Sequence, residues 1–278
     1  MSRFVGPLTA TLLCTGAALA ADGAVTSNAV PQFAFMNGGW QAAGVVFLPP
    51  ESGPGPVLDM PGRPRNGNNL ALGQPIFAMA DLNNPILQPW AREAVKKVND
   101  HIAAGGAGFT PQVSCKLLGV PAFLLHPAQP IYFIQTAKEV LMIWPPNAEF
   151  RHVYLTDKHS TNLKPSWFGE SIGHYENRDT LVVDTIGLSD KTFVDNFRTP
   201  HTTQLHVVER FRINPDQKGL TVEVAVDDPG AFTTPWKAVQ KYRRVEQGPM
   251  NESSCAESST NFLNYDMDPI PQADKPDF

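Results

Sequence analysis

The sequence predicts a mainly β fold: an antiparallel barrel of lipocalin-like type, or a sandwich, with one amphipathic helix ahead of it. Three observations predict it. From residue 131 onward apolar residues recur with period two. Turn-forming runs separate these segments. No helical pattern falls between them, which removes a parallel α/β arrangement.

The strands are expected over 131–135, 140–144, 150–155, 172–175, 180–184, 205–213, 220–226 and 236–245. Pro145-Pro146-Asn147, Glu176-Asn177-Arg178-Asp179, Asn214-Pro215-Asp216 and Asp227-Asp228-Pro229-Gly230 supply the turns. Leu220, Val222, Val224 and Val226 alternate with Thr221, Glu223 and Ala225, as in a sheet with one buried face. The helix is expected over 86–104, where Leu87, Trp90, Ala91, Ala94, Val95, Val98 and Ile102 recur at helical spacing. Pro89 suits its first turn and Gly105-Gly106 stops it.

The flanks read differently. Residues 1–20 have the form of a secretory signal: Arg3, an apolar run, then Ala18-Leu19-Ala20 before Ala21. Residues 21–85 are rich in Pro, Gly and Asn and show no persistent period, so they read as a draped or partly disordered arm. Its short apolar pieces, Val45-Val46-Phe47-Leu48 and Pro75-Ile76-Phe77, are the expected anchors. A single β-rich domain with its leading helix then occupies 86–255, and 256–278 is a polar tail.

An exported location, periplasmic or secreted, follows from the signal. Without residues 1–20 the 22 basic residues fall by one, Arg3, to 21, against 27 acidic residues, a net charge of −6. That balance argues against nucleic acid or an anionic membrane surface as partner. No later segment is apolar for long enough to span a bilayer. Cys115 and Cys255 remain after cleavage and are expected to pair as a disulfide. The loop closed would be about 140 residues, worth roughly 5 kcal/mol at most in the chain-entropy treatment.

Ordered motifs across most of the mature chain carry a resemblance. They are Pro165-Ser166-Trp167, Gly169, Ser171, Gly173, Asp179-Thr180-Leu181-Val182-Val183-Asp184-Thr185, Gly187, Asp190-Lys191-Thr192, Pro200-His201, Glu209-Arg210, Asp228-Pro229 and Pro235-Trp236. The chain resembles a group of exported bacterial β-rich proteins that has no established shared activity. The resemblance therefore implies export and a β-rich fold, and no reaction. Two places depart from its pattern: Tyr175, after His174, stands where Trp is expected, and Asp157-Lys158-His159 stands where Asp-Gly-Arg is expected.

The chemistry-bearing residues concentrate in 165–213. Gly169-Glu170-Ser171-Ile172-Gly173 has the spacing of a nucleophile elbow, and Asp184 or Asp190, then His201 or His206, follow in hydrolase order. An elbow joins a strand to a helix, whereas a turn and another strand follow Ser171. The simpler reading is that the two glycines allow close backbone approach at a sheet corner. Glu209 shares the apolar phase of Leu205, Val207, Phe211 and Ile213, so its carboxylate is expected on the inward face. There it must be paired, neutralised or in contact with a ligand. Its alternatives are a general acid or base, or an ion pair with Arg151 or Arg198.

His201, beside acidic loop residues, and the mid-strand His174 and His152 are the candidate proton carriers, with Asp184 among the carboxylates. Trp167, Tyr132, Trp144 and Tyr242 are the candidate lining of a pocket for an apolar or aromatic molecule. No metal-ligand spacing and no phosphate loop occurs, so neither a metal nor a cofactor is expected. The expected function is acid–base catalysis on a small hydrophobic or aromatic substrate, in a lyase, isomerase or hydrolase reaction. A non-catalytic ligand-binding barrel and a serine hydrolase using Ser171 are the alternatives.

Overall fold

The computed structural model describes residues 39–63, 74–125, 129–176 and 180–246. The chain divides into two compact units, residues 1–30 and 31–278, and every described residue belongs to the second.

Nine strands form one sheet: β1 (Gly39–Ala42), β2 (Tyr132–Gln135), β3 (Glu139–Trp144), β4 (Glu149–Tyr154), β5 (Glu170–Glu176), β6 (Thr180–Ile186), β7 (His206–Ile213), β8 (Gly219–Asp227) and β9 (Trp236–Val245). Their order is β1-β9-β8-β7-β6-β5-β4-β3-β2. The two outer strands meet through a Trp40–Ile131 bridge, with both backbone hydrogen bonds at 2.9 Å, so the sheet bends into a nearly closed barrel rather than a sandwich. All pairs are antiparallel except β4–β5, which is parallel and joined at only two register positions, Val153↔Ser171 and Tyr154↔Ile172. Of the eight strand pairings it has the fewest register positions; only the single bridge that closes the barrel is slighter.

The eight expected strands form with every end within two residues of expectation, four of them longer. The helix, α1 (Pro89–Ala103), is shorter than expected. It buries Ala91, Val95, Asn99 and Ile102. Trp90 is not part of the buried stripe; its ring is 46% exposed and Nε1 donates to Gly230 O at 2.7 Å. Asn99 takes a core position because its amide copies a strand edge, accepting from Ala80 N at 3.0 Å and donating to Ala80 O at 2.9 Å.

The described part of the arm is draped over the barrel and adds a strand that was not expected. It contributes β1, in which Trp40 is buried, and then runs as a strap that pairs Leu48 with Val239. Phe47 is buried, as an anchor should be. Residues 75–78 are pinned by Arg198, whose guanidinium donates to the carbonyls of Pro75, Ile76 and Ala78 at 2.6, 3.4 and 3.2 Å. Gly108 lies against that guanidinium so closely that a Cβ there would be 1.7 Å from Nη2.

Inward-facing Phe133, Met142, Val153, Leu181, Val183, Val207, Phe211, Val222, Val224, Trp236 and Ala238 belong to the continuous apolar core. Phe133 and Phe211 meet edge to face with centroids 5.9 Å apart. Burial of this kind of surface, at about 25 cal/mol per Å², is the main favourable contribution to the fold. Among the described residues no helix is long and apolar enough to cross a membrane. The expected signal segment, the polar tail and Cys255 lie outside the described residues.

Candidate functional site

Glu209 faces inward, as its strand phase requires, and is fully buried. It is held by Arg151, which alternates with the exposed Phe150 and His152 and is itself 1% exposed. Nη1 donates to Glu209 Oε1 at 3.0 Å and Nη2 donates to Oε2, a two-pronged charge-assisted pair. The remaining donors are used as well. Nε and Nη2 each reach Ser171 Oγ at 3.2 Å, and Nη2 reaches Thr185 Oγ1 at 3.0 Å. Ser171 and Thr185 are hydrogen-bonded to each other at 2.9 Å. This one guanidinium therefore joins β4, β5, β6 and β7, the four strands around the weak parallel seam. Tyr242 lies near enough to be influenced by both charges; burial first, then Glu209, pushes its hydroxyl well above the ordinary value, and it donates to Leu124 O at 2.6 Å.

This geometry corrects several expectations. Glu209 carries the ion pair with Arg151 that was the alternative to catalysis, and Arg198 is engaged elsewhere. Ser171 is 2% exposed and bonded to Arg151 and Thr185, with no imidazole beside it. The glycines of its motif do what a sheet corner needs. Gly169 has φ +61° and a Cβ there would sit 2.3 Å from Ile186 O, while one at Gly173 would sit 2.8 Å from Val153 Cγ1.

His201 is buried rather than loop-exposed. Its Nδ1 donates to Thr202 O at 2.8 Å and its Nε2 meets Thr192 Oγ1 at 2.7 Å. Burial pulls it below the ordinary histidine value, which suits a neutral structural ring. Asp195 does not orient it. That carboxylate accepts from Phe197 N, Thr199 N and Thr199 Oγ1 and closes its own turn. Asp228 does the same for the 202 and 230 positions, accepting from Thr202 N, Thr202 Oγ1 and Gly230 N.

His174 and His152 point outward. The His174 ring is 60% exposed beside Glu176, and His152 is bonded to Glu139 at 2.8 Å and stacked on Tyr154. The four aromatic candidates do not share a pocket. Trp144 and Tyr242 belong to the apolar core, Tyr132 is buried outside it, and Trp167 is half-buried in the β4–β5 connection.

The structure does bring Asp184 to two histidines, on the outer face of β5, β6 and β7. His206 Nε2 lies 2.9 Å from Asp184 Oδ1, and His159 Nε2 lies 3.1 Å from the same oxygen. His159 Nδ1 is 2.9 Å from Glu170 Oε2. Glu170 is further held by Ser160, through its backbone N at 2.8 Å and its hydroxyl. Partial burial works to raise the Glu170 carboxyl, but these hydrogen bonds and the His159 ring outweigh it and keep it below the ordinary value.

Ionised carboxylates only accept, so each ring nitrogen facing one must carry a proton. His159 presents one ring nitrogen to each of two carboxylates. His206 is different: Nε2–H is fixed on Asp184, and Nδ1 has no hydrogen-bond partner among the described residues. The side chain is 42% exposed and that of Asp184 40%. Half-buried Ile172, Val208 and Ala225 lie on the same face; Ile172 and Val208 flank Asp184 in register.

The four carboxylate and imidazole groups point at one another rather than at a common empty point, and among the described residues no group of three or more His, Cys, Asp or Glu is arranged to hold a metal ion. His159 was not named as a site residue by sequence reasoning, and Asp184 with His206 appeared only as one of the Asp–His combinations that follow Ser171 in hydrolase order. The available signals were the departure at 157–159 and the shared outward phase of Asp184 and His206.

No family model, no curated protein and no solved structure matches this chain.

Proposed function

We propose that this chain is an exported acid–base enzyme that acts without a cofactor on a small apolar or aromatic molecule, with Asp184 and His206 as its working pair. The observation that carries the reading is the partly exposed ring of His206, whose Nε2 is fixed by Asp184 and whose Nδ1 has no hydrogen-bond partner among the described residues. A carboxylate that holds Nε2–H leaves Nδ1 as the basic atom and stabilises the imidazolium formed when it takes a proton. His159 and Glu170 are positioning residues: His159 holds Asp184 in place, and Glu170 holds His159. Ile172, Val208 and Ala225 offer an apolar surface beside the base.

The test uses a chromogenic proton-abstraction probe, 5-nitrobenzisoxazole, whose ring opens when a base removes its carbon-bound proton. The wild-type protein should accelerate ring opening over buffer. His206→Gln should remove the acceleration, a loss on the order of 10²-fold or more for a positioned general base. Equal rates for wild type and His206→Gln would refute the assignment.

The alternative is a ligand-binding barrel that performs no chemistry. The locking of Glu209 by Arg151 favours it on one point, since the inward carboxylate is then a structural group. Saturable binding of the probe with no acceleration would select it.

A further inference from the structure

A second site lies elsewhere on the outer face, and its assignment does not rest on the acid–base reading. The strap over Leu48–Ser52 stands off β7, β8 and β9 and leaves a cleft of about 580 Å³. Its floor carries Arg212, Thr221 and Lys241 in direct register across the three strands. Lys237 and Glu223 stand beside them, and Glu51 and Ser52 face them from the strap. Arg212 and Lys241 are two strand spacings apart, about 10 Å.

Within the described residues none of the charged groups of Arg212, Lys237, Lys241, Glu223 and Glu51 is in an ion pair or a hydrogen bond. Their neighbour Arg210 is different, because it is engaged by Glu176. Three cations and two carboxylates, none of them ion-paired among the described residues, therefore face one concave space, alongside two hydroxyls. The rim, Leu48, Pro49 and Pro50, supplies flat apolar surface.

We infer that this cleft binds a short acidic saccharide of uronic-acid type. The sugar carboxylates match Arg212, Lys237 and Lys241, and Arg recognises a carboxylate with two parallel donors. The sugar hydroxyls match Glu223 and Glu51, which accept, and Thr221 and Ser52, which do both. A cleft of this volume is within the range of small-molecule sites. A simple inorganic anion would leave the two carboxylates facing it, and a neutral sugar would leave three cations without a partner.

The experiment is calorimetric titration of the full protein with digalacturonate, cellobiose and citrate at low ionic strength. Digalacturonate should bind, cellobiose should not, and added salt should weaken binding. Arg212→Gln and Lys241→Gln should each weaken it about tenfold. Glu223→Gln should also weaken it, a response that a site built only for negative charge would not give. Both substituted cations are exposed, so the variants keep the fold, and Lys138→Gln, outside the cleft, is the unaffected control. No binding of digalacturonate, binding indifferent to Arg212→Gln and Lys241→Gln, or citrate binding as tightly as digalacturonate would overturn the assignment.

Discussion

Replacing Glu209 by Gln leaves the Arg151 guanidinium in the barrel interior with no counter-charge. Both side chains are 0% exposed, so water cannot take the place of the lost carboxylate. The Gln amide also presents N–H to N–H at one of the two contact points. Removing one partner of a fully buried ion pair costs about 3–5 kcal/mol. The position adds to the effect, because the same guanidinium holds Ser171 and Thr185 across a seam with two register pairs. In urea unfolding, with a dependence of about 3 kcal/mol per M for a chain of this size, the midpoint should fall by about 1 M or more. Buried Trp40 and Trp236 provide the fluorescence signal. The double variant Arg151→Met, Glu209→Leu removes both charges and should recover most of the loss, since apolar replacement of a buried pair is often neutral or stabilising. A Glu209→Gln midpoint within about 0.3 M of wild type would refute the claim that the pair is dry and holds the seam.

Four further outcomes are expected. Glu149 is fully buried; burial first, against a weak hydrogen bond from Leu118 N, pushes its carboxyl up to about 8, and Oε1 has no partner. The unfolded chain releases this proton at lower pH than the folded one, so wild-type stability should fall as pH rises from about 4.5 to 8. Glu149→Gln should flatten that slope and be more stable than wild type at pH 8 by a few kcal/mol, measured by urea unfolding at several pH values. Gly169→Ala should destabilise by about 2 kcal/mol or more, through the left-handed backbone and the clash with Ile186 O, read as a lowered Tm. His201→Ala should lower Tm through the loss of two buried hydrogen bonds while leaving ring opening of 5-nitrobenzisoxazole per folded molecule unchanged. Peptide mapping of the non-reduced mature protein should recover Cys115 linked to Cys255, and reduction should cost about 2–5 kcal/mol.

The barrel was legible because a one-faced sheet writes its period directly into the chain. The 220–226 and 205–213 alternations put Glu209 inside before any coordinate is known. What the pattern leaves open is which partner meets an inward charge, since both Arg151, in an expected strand, and Arg198, in a loop, were candidates and only the folded chain brings Arg151 to Glu209. Strand β1 was hidden because four residues, Gly-Trp-Gln-Ala, are too few to show a period within a Pro- and Gly-rich run. The histidines illustrate the limit most clearly. His152 and His174 alternate with residues of mixed character, so their facing was ambiguous, and both turned outward. The outer cluster joins residues 159, 184 and 206 from three segments. Only the β6–β7 register, which sets Asp184 against Val208, makes His206 its diagonal neighbour.

The most direct test of the account is a ¹⁵N NMR reading of the ring nitrogens of His206 and His159. The account predicts that neutral His206 carries its proton on Nε2 with Nδ1 unprotonated, and that both His159 ring nitrogens respond to Asp184→Asn or Glu170→Gln, since the ring bridges the two carboxylates. Substituting Asp184→Asn should remove the preference at His206. A His206 ring protonated at Nδ1, or one whose tautomer ignores Asp184→Asn, would contradict the assignment of Nδ1 as the working base.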